Sequence, residues 1–402
     1  MKGAKRWSLC SNLRETQAAY LPGGRYRAPT RRRVWMIIMA ISVITMFALV
    51  AYMYPHHSKR ACYMISSRGC KALADWIPPA LREFSDDEIA SRLVIREILS
   101  NPPVIRKNSK IAFMFLTPGS LPFERLWDRF FQGHEGKFSV YIHASKERPL
   151  HYSRYFVNRE IRSDEVVWGR ISMVDAERRL LANALRDPAN QQFALLSDSC
   201  VPLRSFDYIY NYLMYTNVSY VDCFDDPGEH GSGRHMNHML PEIPKKDFRK
   251  GAQWFTMKRQ HAVATMADSL YYSKFRDYCG PGIENNKNCI ADEHYLPTFF
   301  YMLDPSGISN WTVTQVDWSE RKWHPKTYMP EDITHELLNN LTSTDTVVHV
   351  TSVGMGEEIW MPCLWNGIKR PCYLFGRKFH PDALDKLLDL FSNYTRSVKW
   401  HL

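Results

Sequence analysis

The chain is 402 residues long, 45% hydrophobic and 13% aromatic, enough to bury the core of one large α/β domain or two smaller ones. Its net charge of +10 invites a nucleic-acid partner, but residues 1–33 hold nine Lys/Arg against one Glu, which leaves the other 369 residues nearly neutral. A nucleic-acid-binding body carries its basic footprint on the fold itself, so that class is set aside.

In chain order, the basic tail abuts "VWMIIMAISVITMFALVAYMY", Val34 to Tyr54, which contains no charge. At roughly 1.5 Å rise per residue this segment spans about 30 Å, one bilayer core, and it exceeds the apolar run of a cleavable signal peptide. Arg31-Arg32-Arg33 precede it and only Lys59-Arg60 soon follow. The positive-inside rule then keeps residues 1–33 cytosolic and makes the remainder luminal, a single-pass type II anchor. Four Asn-x-Ser/Thr acceptors, at Asn217, Asn310, Asn340 and Asn393, agree with a luminal body. Cys10 lies in the tail, and Cys62 and Cys70 lie just beyond the span. The body holds Cys200, Cys223, Cys279, Cys289, Cys363 and Cys372, an even set suited to disulfides in an oxidising compartment. Cys279/Cys289 and Cys363/Cys372 are close enough to close short loops, although spacing alone does not fix pairing. No Cys-x-x-Cys pair is present, which leaves zinc little support.

Residues 55–108 read as a stem containing one helix, opened by a Ser85-x-x-Glu88 capping box and ended by Asn101-Pro102-Pro103. The body, 109–402, then alternates. "IAFMFLT" (111–117) predicts a strand, "FERLWDRFFQG" a helix, and "FSVYIHA" (138–144) a second strand. A helix follows from Ser172 to about Arg186, then a strand at 193–199, a helix over 205–216 and "SYVDCF" at 219–224. This alternation predicts a doubly wound, mainly parallel sheet with helices on both faces. Ligands bind such sheets beyond the carboxyl ends of the strands, which directs attention to "HASKE", "LSDSCVPL" and "CFDDPGEHGSGR". Neither GxGxxG nor GxxxxGK[ST] occurs, which disfavours dinucleotide enzymes and P-loop kinases or sulfotransferases.

The ordered set "IAFMFLT … YIHASKE … VVWG … LLSDSCVPL … FDDPGEHGSGR … KGAQWFTMKR … CIADEHYLPT … VDWSE … CLWNGIKRPCYLFGRKF" resembles the core-2/I-branching β-1,6-N-acetylglucosaminyltransferase family, glycosyltransferase family 14, and most of all its plant brittle-culm-type subfamily. The similarity covers nearly all of residues 110–392. It implies a GT-A-like fold, Golgi residence, a UDP-sugar donor, inversion at the anomeric carbon and a glycan, glycoprotein or cell-wall acceptor. It leaves room for a homodimer or a complex with other Golgi transferases. A catalytically weak lectin-like or scaffold partner is the alternative from another class.

An inverting transfer needs one base for the acceptor hydroxyl and positive charge on the departing diphosphate. No Asp-x-Asp exists here to hold a metal, and Asp225-Asp226 lies in about the right place but lacks the spacing. The family is similar in needing no metal and in using basic side chains instead. By that resemblance Lys378 is the phosphate-binding lysine, and its partner falls on Lys369 or Arg370 inside the loop between the last two cysteines. Arg377, Asp198 and Val167 join the expected nucleotide-sugar contacts. Trp318, Glu229, Arg234 and Trp254 are the expected acceptor contacts, with core packing the ordinary alternative for the tryptophans. The charges of "PKKDFRK" (244–250) are expected on a solvated face.

In "NCIADEHYLPTFFYML" (288–303) three consecutive polar residues cannot converge on one metal, because on a helix they point about 100° apart. Asp292 is expected to cap a short helix that Pro297 kinks or ends, and His294 to lie beside the site or on the surface. Glu293 matches the family's Asp-Glu motif, whose Glu is the catalytic base. Its alternative is a structural carboxylate.

Overall fold

The computed structural model describes residues 31–53, 82, 84–100, 108–283, 287–320, 322 and 324–394. The chain divides into two compact units, Met1–Glu83 and Phe84–Leu402. In the first, helix α1 (Arg31–Met53) covers all but the last residue of the expected span, and its described side chains, 34–49, are exposed. Among the described residues no helix is long and apolar enough to cross a membrane, so the complete span expected from the sequence is not found there. Cys10, Cys62 and Cys70 lie outside the described residues.

The second unit opens with α2 (Asp86–Ser100), where the Glu88 N–H donates to Ser85 Oγ at 3.3 Å as the capping box requires. Buried Ile95 joins this helix to the body's core rather than to a separate stem. The central strands are β1 (Lys110–Thr117), β2 (Phe138–Ala144), β3 (Asn190–Ser197), β5 (Ser219–Asp222), β6 (Thr256–Lys258) and β7 (Ile308–Asn310). They run in the order β2-β1-β3-β6-β5-β7. The pairs β1/β2, β1/β3 and β5/β7 are parallel, whereas β6 is antiparallel to both neighbours. The expected mainly parallel α/β sheet is present, with one reversed strand inserted.

Seven of the eight β1 residues are buried, as a central strand covered on both faces demands. Ile111, Phe113 and Phe115 feed one core, Ala112, Met114 and Leu116 the other. The first core is closed by α3 (Glu124–Phe131), α5 (Phe206–Met214), α9 (His335–Ser343) and α10 (Leu384–Tyr394). The second is closed by α4 (Ser172–Leu185), α6 (Arg259–Ala267), α7 (Leu270–Tyr278) and α8 (Ala291–Leu303). A smaller sheet orders β4 (Val201–Pro202), β13 (Phe375–Arg377) and β8 (Thr314–Val316). Two hairpins precede β13. One joins β9 (Thr346–Val350) to β10 (Glu358–Pro362), the other β11 (Leu364–Trp365) to β12 (Ile368–Lys369). Asn366 and Gly367, both at positive φ, make the tight turn of the second.

Disulfides join Cys279 to Cys289 and Cys363 to Cys372. Cys200 and Cys223, expected in a disulfide, are buried free thiols instead. The reason is topological: Cys200 packs into the first core and Cys223 into the second, on opposite faces of the sheet. Among the acceptor asparagines, Asn217 and Asn340 are exposed, Asn310 is half-buried at positive φ, and the Asn393 side chain lies outside the described residues.

Candidate active site

The five residues Lys250–Trp254 lead into β6 and contact Glu293, Glu177 and Arg377. The Gly251 N–H donates to the Glu293 carbonyl at 2.9 Å, Gln253 Nε2 donates to Glu177 Oε1 at 2.9 Å, and the Trp254 ring lies 4.2 Å from the Arg377 guanidinium.

Glu293 sits in the first turn of α8, where negative charge suits the helix N-terminus. The Cys279–Cys289 disulfide ties the end of α7 to the residues that open α8. Pro297 does not end the helix, which continues to Leu303. A proline supplies no N–H to the carbonyl four residues earlier, here that of Glu293, and the Gly251 N–H fills the gap. A Cβ on Gly251 would collide with the Asp222 carbonyl and approach Pro297 Cγ to 2.9 Å, so only glycine fits between them. The Glu293 carboxylate accepts from Arg234 Nη1 at 2.7 Å, with side chains 28% and 11% exposed respectively. It therefore faces solvent while held by one cation.

The neighbours of Glu293 differ from expectation. Ile290 is the N-cap and makes no side-chain cap bond, so Asp292 is not a cap but a buried member of the first turn. Its Oδ1 has no hydrogen-bond partner. Burial, then the charge of Glu293, push its carboxyl up to about 7. His294 is not at the surface. It is fully buried, stacked on Phe248 and bonded through Nδ1 to the Arg249 carbonyl at 2.8 Å, and burial lowers its pKa to about 3. Within 244–250, Lys245 and Lys246 are exposed, but Arg249 is buried against Tyr301 and Lys250 reaches Asp226 at 3.3 Å.

The basic cluster forms where β13 ends beside the loop after β3. The Phe379 N–H donates to the Ser199 carbonyl, which sets Lys378 and Arg377 against Asp198. Burial lifts the Asp198 carboxyl, and the charges of Arg377 and Lys378 offset part of that rise. Arg377 Nε is buried without a hydrogen-bond partner, a cationic donor left unfilled by the protein. The Tyr328 N–H donates to the Lys378 carbonyl at 2.7 Å, and its hydroxyl donates to Asp317 at 3.0 Å. That brings the loop of half-exposed Trp318 beside the cluster. Trp168 meets His324 edge-on, and Gly169 packs against Ile290, which places the loop of exposed Val167 beside the start of α8.

Other expected contacts lie elsewhere. Lys369 is exposed and pairs with Asp345 at 3.6 Å. Arg370 is buried, its guanidinium 3.7 Å from the Tyr212 ring and donating to the Tyr220 hydroxyl, an arrangement of the core. Trp254 is 7% exposed and reaches the site through Arg377. Glu229 is exposed and pairs with His230. The loop it shares with Arg234 is pinned by buried Asp226, which accepts from the Ser352 N–H, Ser352 Oγ and the Gly228 N–H. Among the described residues no three His, Cys, Asp or Glu are grouped to hold a metal.

Gly251, Gln253, Glu177 and the Asp222–His349 pair escaped the sequence reading. His349 Nε2 lies 2.7 Å from Asp222 Oδ1, whose other oxygen accepts from the Ala252 N–H at 2.8 Å, so the pair steadies the turn that holds Glu293. Only Pro297 in mid-helix, which requires a foreign donor for one carbonyl, signalled that something must approach α8 there.

An α/β body with a solvent-facing carboxylate and a cation cluster joined by one stretch of chain has the layout of a group-transfer enzyme. The profile of the Core-2/I-Branching enzyme matches residues 111–342. A rice protein (Oryza sativa subsp. japonica) named Glycosyltransferase BC10 is 35% identical over 331 residues, 74% of this chain and 80% of that one. The chain belongs to the core-2/I-branching family of glycosyltransferases, and that membership implies a nucleotide-sugar donor and a glycan acceptor.

Proposed function

We propose that this protein is an inverting, metal-independent glycosyltransferase moving a sugar, GlcNAc or a related one, from a UDP-sugar to a glycan, glycoprotein or cell-wall acceptor. Glu293 takes the acceptor hydroxyl proton. The acceptor oxygen bonds to the anomeric carbon as the bond to the phosphate oxygen breaks, and UDP departs with that electron pair. Lys378 and Arg377 neutralise the departing diphosphate, charge-assisted contacts that gain strength as negative charge develops. The observation that carries this reading is the Lys250–Trp254 stretch, which binds the Glu293 backbone at one end and supports Arg377 at the other. The apolar Val34–Tyr54 segment behind a basic tail, the two disulfides and the exposed acceptors Asn217 and Asn340 support a luminal, Golgi-anchored type II arrangement. The test is a donor panel (UDP-GlcNAc, UDP-xylose, UDP-glucuronate) read by saturation-transfer NMR on the full chain in EDTA. Binding of one of them is expected; complete loss of binding in EDTA, restored by a divalent cation, sinks the metal-independent reading.

A further inference from the structure

Behind Glu293 lie two more carboxyls without a cation of their own. Glu177, on α4, is 2% exposed and accepts a hydrogen bond from the neutral amide of Gln253. Asp292 is 8% exposed with Oδ1 unpartnered, and the two are close enough to act on one another electrostatically. The other charged groups around them are few. Arg234 is engaged with Glu293, and Asp175, two residues before Glu177 on α4, adds negative charge. Arg178 is turned to the carbonyls of Thr265 and Asp268 and the Tyr295 hydroxyl, and Lys250 to Asp226. Neutral His294 is spent on the Arg249 carbonyl. Arg234 thus acts on Glu293 and Asp292 but not on Glu177, and the two buried carboxyls, Asp292 and Glu177, cannot both stay ionised beside Glu293.

We propose that Asp292 and Glu177 form a proton-retaining pair that stays at least singly protonated in the working enzyme and leaves Arg234 to Glu293. The inference rests on the reading of Glu293 as base, and Asp292 and Glu177 are positioning residues, since neither is placed against substrate. An ionised Asp292 would compete with Glu293 for Arg234, whereas a neutral Asp292 leaves that guanidinium to Glu293. Burial pushes both carboxyls up, Asp292 to about 7, in the same sense. The two titrate as a unit, so any midpoint belongs to the pair.

The test is an infrared pH titration of the full-length protein, following the carbonyl stretch of neutral carboxylic acid. Near neutral pH ordinary carboxyls are ionised and this band reports buried acids. Asp292→Asn is expected to remove part of the band. Glu177→Gln, which keeps the contact with Gln253, is expected to lower the midpoint of what remains by about one pH unit, the size of a lost like-charge neighbour. The acid limb of the transfer-rate profile is expected to stay in place in Asp292→Asn, because Asn is as uncharged as the protonated Asp292 it replaces. An unchanged band in both folded variants overturns the proposal. The base reading fails separately, through full activity of Glu293→Gln with the band intact.

Discussion

Asp226→Asn tests whether the Asp225-Asp226 pair is a latch or a remnant of donor binding. Asp226 is 1% exposed and accepts from the Ser352 N–H at 2.8 Å, Ser352 Oγ at 2.9 Å and the Gly228 N–H at 3.0 Å, with Lys250 Nζ at 3.3 Å. Asn keeps two of these acceptor contacts, loses the charge and sets its amide against Lys250 and Ser352. Bonds to a charged group contribute about 1.5–3 kcal/mol each, and breaking a buried pair costs about 3–5 kcal/mol. Lys250 retains 21% exposure, so the pair belongs at the low end, and the expected loss is about 3 kcal/mol, or roughly 5–10 °C in Tm. Asp225→Asn is the control: 64% exposed and 4.0 Å from Arg249, it is expected to cost less than about 0.5 kcal/mol. Burial alone would raise the Asp226 carboxyl. The bonds from Ser352 and Gly228 outweigh it and hold the group below its ordinary range, so this stabilisation is present at neutral pH and lost as pH falls through the folded pKa. The assay is a thermal melt of both variants with donor affinity beside it. Equal melting of the two would refute the latch, and loss of donor binding in Asp225→Asn at an unchanged melt would return the pair to the donor site.

Lys378→Ala is expected to weaken UDP-sugar binding about 10–100-fold at little cost in Tm, whereas Arg370→Ala is expected to lower Tm and leave donor affinity alone; calorimetry and melts on both decide. Burial alone would lower the His349 pKa, but Asp222 lifts it above 6.5. The pair's stabilisation is thus full below about 6.5 and lost as pH rises through the folded value, so melts of His349→Gln should be flatter over that window than those of the parent. In intact microsomes the body is expected to resist added protease and to lose mass on glycosidase treatment, and its digestion there would contradict the anchor.

What the sequence made legible was whatever depends on runs of side chains. The strands at 111–117 and 138–144 stand where the apolar stretches put them, and both short cysteine loops closed. Pieces of three residues escaped, above all Thr256–Lys258, because an antiparallel strand that short carries no period. Glu293 was visible as a candidate, but its setting was not. Whether Asp292 caps or is buried depends on Ile290 taking the N-cap, and what holds the Glu293 carbonyl depends on a glycine some forty residues earlier in the chain. Arg370 and Lys378 look alike in sequence. Aromatic rings from α5 and β5 enclose the first, while the end of β13 presents the second to Asp198.

The most direct measurement is the transfer rate of Glu293→Gln beside its donor dissociation constant, with folding checked by melt. Gln keeps the shape and one acceptor for Arg234 but cannot take a proton. If Glu293 is the base, the rate falls roughly 10²–10⁴-fold while donor affinity stays, since the cluster proposed to bind the phosphates, with Arg377, lies at the other end of the Lys250–Trp254 stretch. Transfer at the parent rate by a folded, donor-binding Glu293→Gln enzyme would contradict the account.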